Sequence, residues 1–145
     1  MRTPSQTVGP FYSIGLCRTL GNELVPEGVE LAGTLIDGRG DPIPDGMIEI
    51  WDAAGRRWGR CGTQPSGDFS FRVPADADHL EVYVFARGLL RHQWTRVYLR
   101  DDANDDLLLS LSAAERKTLV ARHETGGMRF DIRMQGDNAT AFFAH

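Results

Sequence analysis

Short runs of alternating apolar and polar residues, each closed by turn residues, constrain this chain more than any other feature. The clearest lies between Met128 and Gln135, where Met128, Phe130, Ile132 and Met134 alternate with Arg129, Asp131, Arg133 and Gln135. Successive side chains of a strand point to opposite faces, so this spacing predicts a strand with one apolar and one charged face. A second run places Leu80, Val82, Val84 and Ala86 on one face and His79, Glu81, Tyr83, Phe85 and Arg87 on the other. Further strands are expected from Val29 onward, over Met47 to Trp51, Phe69 to Val73 and Thr95 to Leu99, with Thr140 to Phe143 closing the sheet. Asp37-Gly38, Gly40-Asp41, Pro44-Asp45-Gly46 and Ser66-Gly67-Asp68 supply turns between them. Helix is confined to one or two short turns. Leu107 to Leu109 follow Asp105-Asp106, and Ser112 to Glu115 has the spacing of a capping box. About seven short strands at regular spacing read as an all-β chain, an antiparallel β-sandwich.

The sandwich is expected to occupy residues 29–145 as one domain, with residues 1–28 as an extended N-terminal arm. Pro4 and Pro10 favour an extended path and bias the residues before them away from helix. The arm carries Phe11, Tyr12 and Ile14, which it cannot bury on itself. It must lie on its own domain or on a partner. The chain is 41% hydrophobic and 25% charged, which argues against disorder. No apolar run approaches the roughly eighteen residues of a membrane span. A net charge of −4 without a basic run argues against nucleic acid and anionic membranes as partners. Met1 to Ser5 lacks the apolar stretch of a signal peptide, so a cytoplasmic location is expected. Cys17 and Cys61, with no metal-type spacing, are then expected to be free, buried thiols. A small molecule or a protein remains as partner.

Several ordered motifs carry a family resemblance. Gly33 to Ala53 resembles a hairpin shared by transthyretin-like (prealbumin-like) sandwiches. Gly9-Pro10-Phe11-Tyr12 ahead of it is similar to the intradiol ring-cleaving dioxygenases. Thr3-Pro4-Ser5-Gln6-Thr7, Val84-Phe85-Ala86-Arg87-Gly88 before Thr95-Arg96-Val97-Tyr98, and Arg129 to Gly136 resemble the α-type subunits of that family along nearly the whole chain. The resemblance implies a hetero-oligomer with a β subunit of the same sandwich fold. That partner carries a non-haem Fe(III) through two tyrosines and two histidines, and acts on protocatechuate and O2. The resemblance also implies substrate-binding roles for Thr7, Gly9 and Pro10 of the arm and for Arg87, with no catalytic residue on this chain alone. A guanidinium suits an aromatic carboxylate, because it can offer charge-assisted, bidentate recognition. Read from the residues alone, Arg87 is equally an ordinary solvated or ion-paired arginine, and the arm an ordinary tether.

The family's metal ligands can be tested one by one. His79 matches the first histidine of the expected H-x-H pair, but Glu81 stands at the second. Trp58 is the nearest aromatic to the first tyrosine position, and residues 73–78 run into His79 with no tyrosine. The long loops expected between Trp58 and His79 are missing too. The resemblance therefore implies that this chain binds no metal and that the iron sits in the partner. An alternative is a two-histidine, one-carboxylate set of His79, Glu81 and His92 for ferrous iron, which residue type alone supports. Otherwise His79 is a strand-end residue and His92 a loop residue, with His123 and His145 on the surface. Arg57, Arg60, Arg91, Arg96 and Arg100 read as a solvated or interface set. Trp51 reads as a core residue, and Trp58 and Trp94 as interface anchors or core. Two functions stay open: a metal-free dioxygenase subunit, or a transthyretin-like binding or structural domain without a catalytic role.

Overall fold

The computed structural model describes residues 1–9, 11–17, 21–102 and 105–144, the side chain of Ser13 excepted. Within them two sheets face each other. In the first, β1 (Val29–Ile36) pairs antiparallel with β4 (Asp68–Val73). On its other edge β1 takes β8 (Gly127–Arg129) and β9 (Ile132–Arg133), both parallel, and β7 (Arg122–Glu124) closes this side on β8. The second sheet is antiparallel throughout, in the order β3 (Arg57–Gly62), β2 (Met47–Asp52), β5 (His79–Phe85), β6 (Gln93–Tyr98). The expected sandwich stands, with one of its sheets mixed.

Alternation explains which faces meet. Leu31 and Leu35 of β1, Phe69, Phe71 and Val73 of β4, Ile48 and Ile50 of β2, and Leu80, Val82 and Val84 of β5 all point into one core. Each such side chain contributes roughly 1.5–3 kcal/mol relative to exposure. A smaller cluster of Tyr98, Leu108 and Leu119 lies under two helical turns, α2 (Asp106–Leu109) and α3 (Ala113–Lys117). Both are capped as expected. The Asp105 carboxylate accepts the Leu108 N–H, and Ser112 and Glu115 form a reciprocal capping box.

Four details depart from the sequence expectation. The run from Met128 to Gln135 is not one strand. The Thr34 N–H bonds the Asp131 carboxylate at 3.0 Å instead of a backbone carbonyl, and this interrupts the ladder between β8 and β9. Strand β3 was not anticipated. Thr140 to Phe143 makes only a bridge, Phe143 to Trp94, rather than a strand. Trp51 lies half-buried on the outward face of β2, opposite Trp58, and not in the core.

The arm contains a short helix, α1 (Tyr12–Leu16). Its later part is stitched to the edges of both sheets: Gly21 accepts the Arg60 N–H at 2.7 Å, the Leu24 N–H donates to the Arg72 carbonyl and the Arg72 N–H donates to the Asn22 carbonyl, both at 2.9 Å. Among the described residues no helix is long and apolar enough to cross a membrane.

Candidate functional site

Strand β5 ends at Phe85, and Gly88, with φ of 87°, turns the chain back toward β6. The arm meets this turn. Thr7 Oγ1 accepts the Gly88 N–H at 2.9 Å. The Tyr12 hydroxyl reaches the Asp45 carbonyl at 2.5 Å and the Phe85 carbonyl at 3.1 Å. Asp45 also holds Arg87, whose Nε stands 2.5 Å from its carboxylate. Asp45 is thus a hub, its backbone fixing the arm and its side chain fixing the arginine. Burial pushes the Tyr12 hydroxyl up to about 12, with the Asp45 carboxylate adding to it. The phenol therefore stays a donor at neutral pH.

Thr7 and Arg87 are brought to one turn. Gly9 lies two residues beyond Thr7 and accepts the Tyr12 N–H at 3.4 Å, while Pro10 lies outside the described residues. A Cβ on Gly9 would meet nothing within 4 Å, so its backbone is open to an approaching molecule. The Arg87 side chain is 56% exposed, and among the described residues its ion pair is made through Nε. An exposed pair of this kind is worth at most about 1 kcal/mol, so an incoming carboxylate can share or displace Asp45. On its other side Arg87 borders a cavity of about 320 Å³ with Asp37, Gln93, Met134 and Gln135. Sequence reasoning passed over Asp45, which it read only as a turn residue. A carboxylate in a Pro-Asp-Gly turn gives no signal of what it will hold.

A polar network occupies the region around His79, with the buried Arg96 Nε left without a hydrogen-bond partner among the described residues. His79 Nδ1 lies 3.9 Å from Asp105, and its ring packs on Tyr98 at 5.5 Å between centroids. Glu81 accepts the Tyr83 hydroxyl at 2.8 Å and faces Arg96 at 3.4 Å. Arg96 also reaches Asp105 at 3.4 Å, and the Tyr98 hydroxyl donates to Asp105 at 2.8 Å. Burial works against the Asp105 carboxylate, but the Leu108 N–H, Tyr98 and Arg96 outweigh it and hold its pKa below the ordinary value. His92 stacks against Tyr83 and Phe85 instead of turning to His79.

These residues do not suit iron. The weighed set of His79, Glu81 and His92 is not assembled, and among the described residues no three His, Cys, Asp or Glu side chains could hold a metal ion together. The chain has three tyrosines, and burial pushes Tyr12, Tyr83 and Tyr98 each up to about 12. Neighbouring carboxylates add to the effect.

The arginines read as a solvated or interface set divide. Arg60 pairs with Glu49 at 2.5 Å and lies over the Trp58 ring at 4.6 Å, while Arg57 faces Asp52 at 3.8 Å. Arg96 belongs to the network just described, and Arg100 pairs with Asp78 at the surface. His123 is exposed as expected, whereas His145 lies outside the described residues.

The comparisons with known proteins agree with this architecture. The chain is 36% identical to a protocatechuate 3,4-dioxygenase alpha chain from Burkholderia cepacia, covering 98% of this chain and 96% of that one. It is 31% identical to a protocatechuate 3,4-dioxygenase alpha chain from Pseudomonas putida, covering 97% and 95%. The first alignment runs to 190 positions against 145 residues here, so at least 45 positions have no counterpart in this chain. Among solved structures, the dioxygenase domain of a dioxygenase–carbohydrate-binding protein fusion from Streptomyces sp. SirexAA-E superposes with a TM-score of 0.56 at 17% identity. That match covers 92% of this chain and 99% of that domain, and shows the fold. No family model matches.

Proposed function

The chain belongs to the family of protocatechuate 3,4-dioxygenase alpha chains, and from that premise we propose that it is the metal-free subunit of a hetero-oligomeric intradiol dioxygenase. The iron-bearing β subunit supplies Fe(III), and this chain helps wall the pocket. The complex inserts both atoms of O2 between the hydroxyl-bearing carbons of protocatechuate and releases 3-carboxy-cis,cis-muconate. That is a step of aromatic catabolism in the β-ketoadipate pathway. A cytoplasmic setting agrees with the two free thiols, Cys17 and Cys61.

The junction between arm and turn carries this reading. It presents an exposed guanidinium, an open glycine backbone and the Thr7 hydroxyl on one patch. Beside them Phe11, Ile14 and Leu16 are 76%, 48% and 49% exposed. A short helix with two apolar side chains in water, and Phe11 exposed just before it, suits a covering partner. On this reading the β subunit buries the arm, and desolvation there strengthens the grip of Arg87 on the substrate carboxylate. Thr7 and Gly9 line the flat side of the ring, and the substrate-binding role expected of Pro10 falls outside the described residues.

Co-expression with a β-type chain carrying both tyrosines and an intact H-x-H tests the proposal. A coloured complex is expected, from tyrosinate-to-iron charge transfer, with ring cleavage only when both chains are present. Stoichiometric iron and ring cleavage in this chain alone would overturn it, as would failure of the two chains to associate.

A further inference from the structure

On the far sheet from Arg87, a cavity of about 480 Å³ opens between β8, β9 and α3. Four cations line it, Lys117, Arg122, Arg129 and Arg133, against one carboxylate, Asp131. The surplus of three positive charges stands in a chain whose net charge is −4. The strand pattern causes the convergence. Arg129, Asp131 and Arg133 follow one face at alternate positions, and Arg122 stands opposite Arg129 in register.

Asp131 cannot neutralise this set. Its carboxylate already accepts the Thr34 N–H at 3.0 Å and pairs with Arg129 at 2.8 Å and Arg122 at 3.1 Å. Among the described residues neither the Arg133 guanidinium nor the Lys117 ammonium has an ion-pair partner. The wall that carries Arg133 is nonetheless fixed. Its N–H donates to Thr140 Oγ1 at 3.0 Å, and its carbonyl accepts the Thr140 N–H at 2.9 Å. Two cations without an ion-pair partner, beside two arginines that share a single carboxylate, leave a net positive field at the cavity.

We propose that this cavity binds a small polycarboxylate, and specifically a tricarboxylate of the kind ring opening releases. The charge argument selects the class. A monocarboxylate would leave most of the surplus standing, whereas three carboxylates match it, and guanidinium forks suit carboxylates in bidentate geometry. The choice of product rests on the proposed function, since intradiol cleavage turns an aromatic monocarboxylate into a tricarboxylate. The site would hold product on this chain, away from the patch that Arg87 offers to substrate.

Isothermal titration of the purified full chain, alone and in its complex, reads this directly. Tricarballylate is the probe, with cis,cis-muconate and inorganic phosphate as comparators. One saturable site per chain is expected, weakening with added salt. It should take tricarballylate about tenfold more tightly than either comparator. Arg133→Gln and Lys117→Gln should each weaken binding roughly tenfold, as the loss of one charge-assisted contact would. Lys117 is exposed, so its variant remains informative if Arg133→Gln folds poorly. No saturable binding, binding indifferent to both variants, or phosphate binding as tight as tricarballylate would each overturn the assignment. Because no turnover is involved, this result separates from the proposed function. An inactive complex that still binds tricarballylate through Arg133 sinks only the ring-cleavage reading, and an active complex without the site sinks only this one.

Discussion

Asp45 does two things with one residue. Its carbonyl takes the Tyr12 hydroxyl and its carboxylate takes Arg87, so arm and arginine are held to the same turn. The pair is exposed and weak, which leaves the guanidinium free to serve a stronger anion once a partner excludes water. Arg87→Ala in the assembled complex should therefore raise KM for protocatechuate about tenfold or more, with assembly intact by size-exclusion chromatography. An unchanged KM would remove Arg87 from the pocket. Arg87 was legible through the Phe85-Ala86-Arg87-Gly88 motif, a resemblance and not a physical signal. Asp45 was not, because its value depends on two residues, 33 and 42 positions away in sequence, that only the fold brings to it.

At the level of the elements, β1 is the strand on which the mixed sheet depends. Its alternation was plain in Leu31, Gly33 and Leu35, and so was the turn at Asp37-Gly38. The directions of its partners were not, because a period of two says which face is buried and nothing about parallel or antiparallel pairing. Nor was the interruption at Asp131, where a side chain substitutes for a backbone acceptor. Strand β3 escaped for a different reason. Arg57-Trp58-Gly59-Arg60-Cys61-Gly62 has two glycines and two arginines and no apolar alternation. It is a strand because β2 offers it a full edge and the arm packs on it through Gly21 and Leu24. The close approach at Gly33 makes a measurable case. A Cβ there would stand 1.9 Å from the Phe130 carbonyl oxygen and 2.6 Å from the Phe69 ring. Gly33→Ala should destabilise the fold by about 3 kcal/mol, read as a lower denaturant midpoint. Gly9→Ala, with open space around it, should leave the midpoint unchanged. Equal effects of the two would mean that β1 and Phe130 are not packed this closely.

Across the whole molecule, the ionisable groups set a stability plateau and bear on metal binding together. Tyr12, Tyr83 and Tyr98 are each pushed up to about 12 by burial first, against an ordinary value of 10.0. Between those values the unfolded chain sheds phenolic protons that the folded chain keeps. Stability is therefore complete below pH about 10 and lost as pH rises toward 12. On the acid side Asp37, Asp68, Asp105 and Glu115 are held below their ordinary values by hydrogen bonds, for Asp37 chiefly from the Asp41 and Arg39 N–H groups. Their contribution is present above the ordinary carboxylate range and disappears as pH falls through the lowered values. Denaturant midpoints should thus be flat near neutrality and fall on both sides, with tyrosinate absorbance rising only near pH 12. A phenol titrating at its ordinary value in the folded chain would contradict this. At neutral pH each phenol is protonated and its hydroxyl already engaged, Tyr12 on the Asp45 and Phe85 carbonyls, Tyr83 on Glu81 and Tyr98 on Asp105. Ferric ion added to the folded chain at neutral pH should give no tyrosinate charge-transfer band, because among the described residues no three His, Cys, Asp or Glu side chains converge to hold it.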